Sequence, residues 1–222
     1  MEAAFGAALS GAPSVLPIIA AAARRRSTSE ALRWLRRTGA AWELESWTYA
    51  EVWRRSIDTA GALRGYGADG RAVGVAIDEG PALPLLELAI LLAGGHIVPM
   101  DVCDPCGRLA VLLRDSTPVL AVAKDDPGLE ALERAAAEAF AENPGAAPRL
   151  LLATAMGLGE RGADEGLPYE DVFETPPAAA VSHIFFTSGS TGRPKGCVTT
   201  HGALASYCAA KNATYSVTEE SV

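Results

Sequence analysis

A stretch rich in glycine and hydroxyl residues, near the end of the chain, has the composition of a phosphate-binding loop. Residues 187–196 read TSGSTGRPKG and hold three glycines, four hydroxyl side chains and one lysine. Gly189, Gly192 and Gly196 permit a positive φ and let the backbone approach a ligand closely, and successive N–H groups in such turns can bind an anion. The hydroxyls add donors, and Lys195 adds a point charge suited to phosphate. The ligand that fits this combination is the polyphosphate of a nucleotide.

This candidate loop differs from two common nucleotide motifs. A Walker A loop needs Gly-Lys followed by Ser or Thr at the start of a helix, whereas Lys195 lies between Pro194 and Gly196. The Rossmann pattern GxGxxG does not occur in the stretch either. The alternative without a function is a flexible surface loop between two strands. Ten residues in this order favour phosphate binding over that alternative.

Apolar segments elsewhere predict the scaffold that would position the loop. Short β-rich runs occur at 72–77, 97–100, 119–123 and 183–186, with helical patterns between the first three. Thr48 followed by Glu51 forms a capping box and predicts the start of another helix. Strands that alternate with helices at short spacing predict βαβ units. The expected fold class is therefore α/β, with a largely parallel sheet flanked by helices.

Composition restricts the classes of partner. The 222 residues include 19 Lys and Arg against 27 Asp and Glu, a formal net charge of −8. A net acidic chain is a poor candidate for nucleic-acid binding. Four cysteines are too few for a disulfide scaffold, which predicts a reducing, cytoplasmic setting. The longest apolar run, 82–93, is too short and too charged for a membrane span.

The loop at 187–196 resembles the phosphate-binding signature of the adenylate-forming superfamily. Its members include acyl-CoA synthetases, luciferases and the adenylation domains of nonribosomal peptide synthetases. Two further stretches resemble segments of this family in the same order, WTYAEV at 47–52 and LLAGGHIVPMD at 91–101. The resemblance covers about residues 45–220. It implies an incomplete N-terminal subdomain of the adenylate-forming fold.

The resemblance also implies a reaction, its cofactors and its site. The expected function is ATP-dependent activation of a small-molecule carboxylate to an acyl-adenylate, followed by thioester formation. ATP and Mg²⁺ are the implied cofactors, with CoA or the phosphopantetheine of a carrier protein as the thiol acceptor. Ser190 and Asp101 resemble the amino-acid-activating members more than the fatty-acyl-CoA synthetases. The residues implied to hold the β- and γ-phosphates are Thr187, Ser188, Ser190, Thr191 and Lys195, with Gly189 and Gly192 shaping the loop.

The resemblance divides the chain at residue 46. Residues 1–46 are expected to form an N-terminal helix, over 2–9, and a basic variable segment. Within that segment, 24–37 holds six arginines and is typical of a solvated helix face or a basic insertion. Residues 47–222 are expected to form a partial adenylation domain, with an acidic variable segment at 125–175. The Mg²⁺-binding glutamate, ribose-binding aspartate and C-terminal lysine motifs of the family are absent, so the chain is expected to contain neither a complete catalytic set nor metal ligands.

Two functions remain open for this chain. It is the N-terminal part of an adenylate-forming enzyme, or a non-catalytic, truncated nucleotide-binding or interaction protein. His201 follows the signature where the family often has histidine, and it either shapes the site or has a capping or packing role. Cys103 and Cys106 form a CxxC without the second pair that a zinc site needs, so both are expected to be incidental. His96 and His183 are expected in the core.

Overall fold

The computed structural model describes residues 11–39, 41–158, 173–188 and 193–217. The helix expected at 2–9 lies outside these ranges. Contacts divide the chain into two compact units. The sheet unit contains residues 56–160 and 181–199, and the second unit contains residues 1–55, 161–180 and 200–222.

The structure has strands at the four predicted runs, 72–77, 97–100, 119–123 and 183–186, and helices between the first three. In chain order the helices and strands are α1 (Leu16–Arg25), β1 (Glu30–Thr38), β2 (Ala41–Thr48), α2 (Tyr49–Gly65), β3 (Ala72–Ala76), α3 (Ala82–Leu92), β4 (His96–Pro99), α4 (Cys106–Ser116), β5 (Leu120–Ala123), α5 (Asp126–Ala139), β6 (Arg149–Leu152), β7 (Val181–Ser188), β8 (Pro194–Thr200) and α6 (His201–Thr214). Short 3₁₀ turns precede β6 and follow it. Every helix in the described ranges is too short or too polar to cross a membrane.

The sheet unit is built on a six-stranded sheet in the order β6-β5-β3-β4-β7-β8. Strands β4 and β5 both pair in parallel with β3, β6 pairs in parallel with β5, and β7 pairs in parallel with β4. All five residues of β3 are buried, as expected for a central strand covered on both faces. The α/β fold with a largely parallel sheet and flanking helices is confirmed.

The core of this unit fills the space between the sheet and helices α4 and α5. Val98 of β4, Leu113 of α4 and Leu132 of α5 belong to one buried cluster, and each has no measurable solvent exposure. The cluster is built mainly from Ala, Leu and Val rather than from aromatic residues, so small and branched side chains allow the helices close to the sheet. Ile184 and Phe186 of β7 pack against it and connect the hairpin to the core.

The glycine pair after α3 explains the AGG sequence. Gly94 has a φ of 83°, the left-handed conformation that commonly ends a helix. A Cβ on Gly95 would lie 2.9 Å from the backbone oxygen of Ala68. One glycine is therefore required by conformation and the other by space, and together they turn the chain from α3 into β4.

The second unit corrects the expected helix face within residues 24–37. Helix α1 ends at Arg25, and Glu30–Thr38 is a strand that pairs antiparallel with β2 around Gly39. The pairing compensates the arginines: Arg36 lies 3.7 Å from Glu43, and the guanidinium of Arg37 lies 6.0 Å from the Trp42 ring. These partners follow the arginines in sequence, and only the hairpin turn brings them opposite one another.

The capping box at the start of α2 is confirmed. The backbone N–H of Thr48 donates to Glu51 Oε2 at 2.6 Å, and the N–H of Glu51 donates to Thr48 Oγ1 at 3.2 Å. These reciprocal bonds satisfy backbone donors that have no partner within the helix. The helix therefore begins directly after β2, at Tyr49.

Candidate phosphate-binding site

Strands β7 and β8 form a hairpin whose connecting end carries the glycine-rich loop. Ser182, near the start of β7, donates its hydroxyl to the backbone oxygen of Thr199, near the end of β8, at 3.1 Å. Gly196 faces Ile184 and Phe186. The two strands therefore run in opposite directions, and the end of β7 lies beside the start of β8.

Three of the predicted site residues lie at this end of the hairpin. Thr187 and Ser188 are the last two residues of β7, and Lys195 is the second residue of β8. All three are exposed. Thr187 Oγ1 lies 3.9 Å from Cys197 Sγ, so its hydroxyl is on the same strand face as that thiol. Of the other predicted phosphate-binding residues, Gly189, Ser190, Thr191 and Gly192 lie outside the described residues.

This set of donors has the chemistry that a polyphosphate requires. Two hydroxyls offer hydrogen bonds, and one ammonium offers a positive charge. Their exposure leaves room for a large anionic ligand. The described residues therefore fit the phosphates of ATP.

Arg193 braces the end of the loop, a role that the sequence analysis did not assign. Its Nη2 donates to both carboxylate oxygens of Asp115, at 3.1 and 3.2 Å. Asp115 lies in α4, 78 residues away in sequence. No local pattern indicates this pairing. In the sequence, only the position of Arg193 within the motif at 187–196 indicates that this residue could matter to the loop.

Gly196 matters to the hairpin because it has no side chain, and its backbone conformation is not unusual. It is not among the glycines with positive φ, so the conformational freedom that glycine permits is not used at this position. A Cβ at Gly196 would lie 3.2 Å from Ile184 Cγ2 and 3.4 Å from the Phe186 ring. The absent side chain lets β8 lie close to the apolar residues of β7.

His201 occupies a buried position at the start of α6. The cap of this helix is Thr200, whose Oγ1 accepts from the Ala203 N–H at 3.2 Å. His201 is 2% exposed, and its Nδ1 lies 3.2 Å from the hydroxyl of Ser14. The same Ser14 oxygen accepts from the Leu16 N–H, so its own proton is available for the ring. Burial lowers the pKa of His201, which favours the neutral imidazole and a packing role.

The remaining candidate residues do not form a metal centre. Within the ranges that the structure covers, no three His, Cys, Asp or Glu side chains are grouped so that they could hold a metal. Cys103 and Cys106 are free thiols. Burial, together with a 3.5 Å contact to Glu138, raises the pKa of Cys106, which makes it a poor nucleophile. His183 is buried and stacks on Phe185, while His96 is half-buried and burial lowers its pKa.

Sequence comparisons connect the chain to known proteins. The model of the family described as "AMP-binding enzyme" matches residues 19–222. Novobiocin biosynthesis protein H of Streptomyces niveus is 34% identical over 190 residues, which cover 80% of this chain and 28% of that protein. Nonribosomal peptide synthetase 7 of Gibberella zeae is 31% identical over 166 residues, which cover 74% of this chain and 3% of that protein.

A solved structure has the same fold. The N-terminal subdomain of Klebsiella oxytoca NpsA, in complex with 3-hydroxybenzoyl-AMSN, superimposes with a TM-score of 0.62 at 20% identity. The match covers 85% of this chain and 41% of that one. The chain spans between 2% and 28% of the length of the first curated relatives that it matches.

Proposed function

Because the chain belongs to the AMP-binding enzyme family, we propose that its β7–β8 hairpin binds the phosphates of ATP during the activation of a carboxylic acid. The observation that carries this proposal is the position of Thr187, Ser188 and Lys195 at one exposed end of the hairpin. Their hydroxyl and ammonium groups are the donors that a polyphosphate requires.

Each residue has a role in the proposed site. Thr187 and Ser188 donate hydrogen bonds to phosphate oxygens, and Lys195 offsets their negative charge. In the reaction a carboxylate oxygen bonds to the α-phosphorus while the bond from that phosphorus to pyrophosphate breaks. The hairpin positions the leaving pyrophosphate and stabilises its charge, without a covalent step of its own. We extend the site to the loop residues Gly189, Ser190, Thr191 and Gly192.

His201 has a positioning role in this proposal. It comes directly after β8, and its buried ring is held by Ser14. The backbone N–H of His201 also donates to the oxygen of Ala180, at 2.9 Å. These contacts fix the start of α6.

The substrate and the acceptor are finer parts of the proposal. We assign an amino acid as the carboxylate, supported by Ser190, by Asp101 and by the similarity to a nonribosomal peptide synthetase. The acceptor is a thiol, either CoA or the phosphopantetheine of a carrier protein. Mg²⁺ accompanies ATP, but the described residues offer no ligand set for it, so no step is assigned to the ion. A cytoplasmic location fits both the use of ATP and the free thiols.

The test is exchange of labelled pyrophosphate into ATP, measured on the protein isolated at its native length. We expect exchange that depends on an added amino acid. Lys195→Ala should lower the rate about 100-fold or more, because it removes a charge that acts on the leaving group. Lys211→Ala is the matched control, since Lys211 is on α6 and lies over the rings of Tyr207 and of Tyr215, the residue that follows the helix.

The outcomes separate the two open functions. ATP binding without exchange, for amino acids and for aryl or aliphatic acids, would favour the non-catalytic nucleotide-binding alternative. Exchange that Lys195→Ala leaves unchanged would contradict the role of the hairpin.

A further inference from the structure

A cavity of about 540 Å³ opens in the sheet unit, at the carboxyl ends of β3 and β4. Its walls include Ile77, which follows β3, and Met100, which follows β4. Phe186 of β7 closes one side. This volume is in the range of small-molecule pockets.

The strand order explains why a cavity forms there. From β3 the chain passes through α3 to β4 on one side, whereas from β4 it passes through α4 to β5 on the other side of β3. Right-handed crossovers in opposite directions place α3 and α4 on opposite faces of the sheet. The loops after β3 and β4 therefore separate, and ligands of open α/β sheets bind in such crevices.

One carboxylate in the cavity has no charge partner. Helix α3 reads ALPLLELAILL, so Glu87 is its only charged residue, and seven other residues of this helix are buried. Glu87 lines the cavity and is half-buried. It has neither a hydrogen bond nor an ion pair within the part of the chain that the structure describes. A half-buried charge without a partner is costly, and burial raises the pKa of Glu87.

Of the other acids of the cavity, two have a cationic partner and the third accepts a backbone hydrogen bond. Asp78 is held by Lys124 at 2.8 Å, and Asp104 by Arg108 at 2.8 Å. Asp101 accepts the backbone N–H of Cys103 at 2.9 Å. Glu87 is therefore the group of this cavity that is left to meet a ligand.

We propose that this cavity binds an organic cation, a primary ammonium group on an apolar body. The ammonium meets the carboxylate of Glu87, and the apolar body lies against Leu83, Met100 and Phe186. Phe186 is the residue before Thr187, so an occupant of this cavity contacts the strand that leads into the phosphate loop. The ligand proposed for the cavity is a cation, whereas the ligand proposed for the loop is an anion.

The test uses phenethylamine as the probe, with 2-phenylethanol as its neutral counterpart, in calorimetric titrations of this chain. Neither compound has a carboxylate, and no ATP is added, so the outcome does not depend on the proposed reaction. We expect the amine to bind with a Kd at least tenfold lower than that of the alcohol. Glu87→Gln should raise the Kd of the amine about 10- to 100-fold and leave that of the alcohol unchanged, as expected for one charge-assisted hydrogen bond.

Two further variants keep the test decisive. Glu133→Gln removes a charge from the exposed face of α5, outside the cavity, and should change neither Kd. Leu83→Trp should weaken both probes, because it fills the cavity. Equal Kd values for amine and alcohol, an unchanged amine Kd in Glu87→Gln, or no saturable binding in folded wild-type protein would each overturn the proposal.

Discussion

Strands β3 and β8 belong to one sheet but have opposite environments. All five residues of β3 are buried, whereas β8 is an outermost strand of the described sheet and is exposed from Lys195 to Val198. The candidate phosphate-binding residues are exposed and lie on the outer hairpin, with Thr187 and Ser188 at the end of β7 and Lys195 at the start of β8. A ligand as large as ATP needs access, so the proposed phosphate site consists of exposed residues that burial in the core does not position.

The hairpin is therefore positioned by a few specific contacts instead of by burial. Ser182 bonds across to Thr199, Gly196 lets the strands approach, and Arg193 bonds to Asp115 of α4. Each of these contacts is weak alone, since one hydrogen bond makes a net contribution of about 0.5–1.5 kcal/mol to the free energy of unfolding. The contrast between β3 and the hairpin indicates that stability and site geometry depend on separate sets of residues. Mutations in each set can test the two properties independently.

The largest effect is expected from the same truncation at the centre and at the edge of the sheet. Val98 of β4 has no measurable exposure, whereas Val198 of β8 is 61% exposed. Val98→Ala should lower the free energy of unfolding by about 2 kcal/mol, through lost burial and a new cavity. Val198→Ala should change it by less than about 0.5 kcal/mol. Denaturant unfolding measures both, and equal losses would contradict the contrast between centre and edge.

A smaller effect is expected when a methyl group is added at a glycine in each region. A Cβ at Gly74 of β3 would lie 2.8 Å from Ala121 Cβ, inside a packed sheet. Gly74→Ala should cost about 1 kcal/mol, because overpacking exceeds the entropy gained in the unfolded chain. At Gly196 the nearest atom is 3.2 Å away and the outer strand can move, so Gly196→Ala should cost less than about 0.5 kcal/mol.

Thermal unfolding of these two glycine variants gives the ranking directly. A larger loss in Gly196→Ala than in Gly74→Ala would mean that the hairpin is as rigid as the centre of the sheet.

The smallest effect on stability is expected at the ion pair between Arg193 and Asp115. The Arg193–Asp115 pair is exposed, so Arg193→Ala should change the free energy of unfolding by less than about 0.5 kcal/mol. It should still raise the Kd for ATP about threefold, because the end of the hairpin at residue 193 loses one anchor. Asp115→Asn should reproduce this change. Weaker binding in Arg193→Ala with normal binding in Asp115→Asn would show that Arg193 contacts ATP rather than braces the loop.

The order of elements could be predicted because it depends on local patterns. The strands at 72–76 and 120–123 are short apolar runs, and Thr48 with Glu51 marks the start of α2. Such signals lie within a few residues of one another. The family motif added the type of ligand, which periodicity alone does not give.

The misses depend on contacts between different elements, which a local pattern does not show. Residues 30–38 looked like part of a basic segment, because the glutamate and tryptophan that compensate Arg36 and Arg37 lie on the next strand. Arg193 received no role, because Asp115 is 78 residues away. At position 196 a side chain would crowd residues of β7. Rules that relate glycine to turns do not include contacts with a neighbouring strand.

The measurement that tests the phosphate-binding assignment most directly is a calorimetric titration of this chain with ATP, comparing Lys195→Ala with Lys211→Ala. Both changes remove one lysine, but only Lys195 lies at the loop end of the hairpin. We expect Lys195→Ala to raise the Kd at least about tenfold, the effect of one charge-assisted contact, while Lys211→Ala leaves it unchanged. The same Kd in both variants and in the wild type would show that the β7–β8 hairpin does not bind the phosphates.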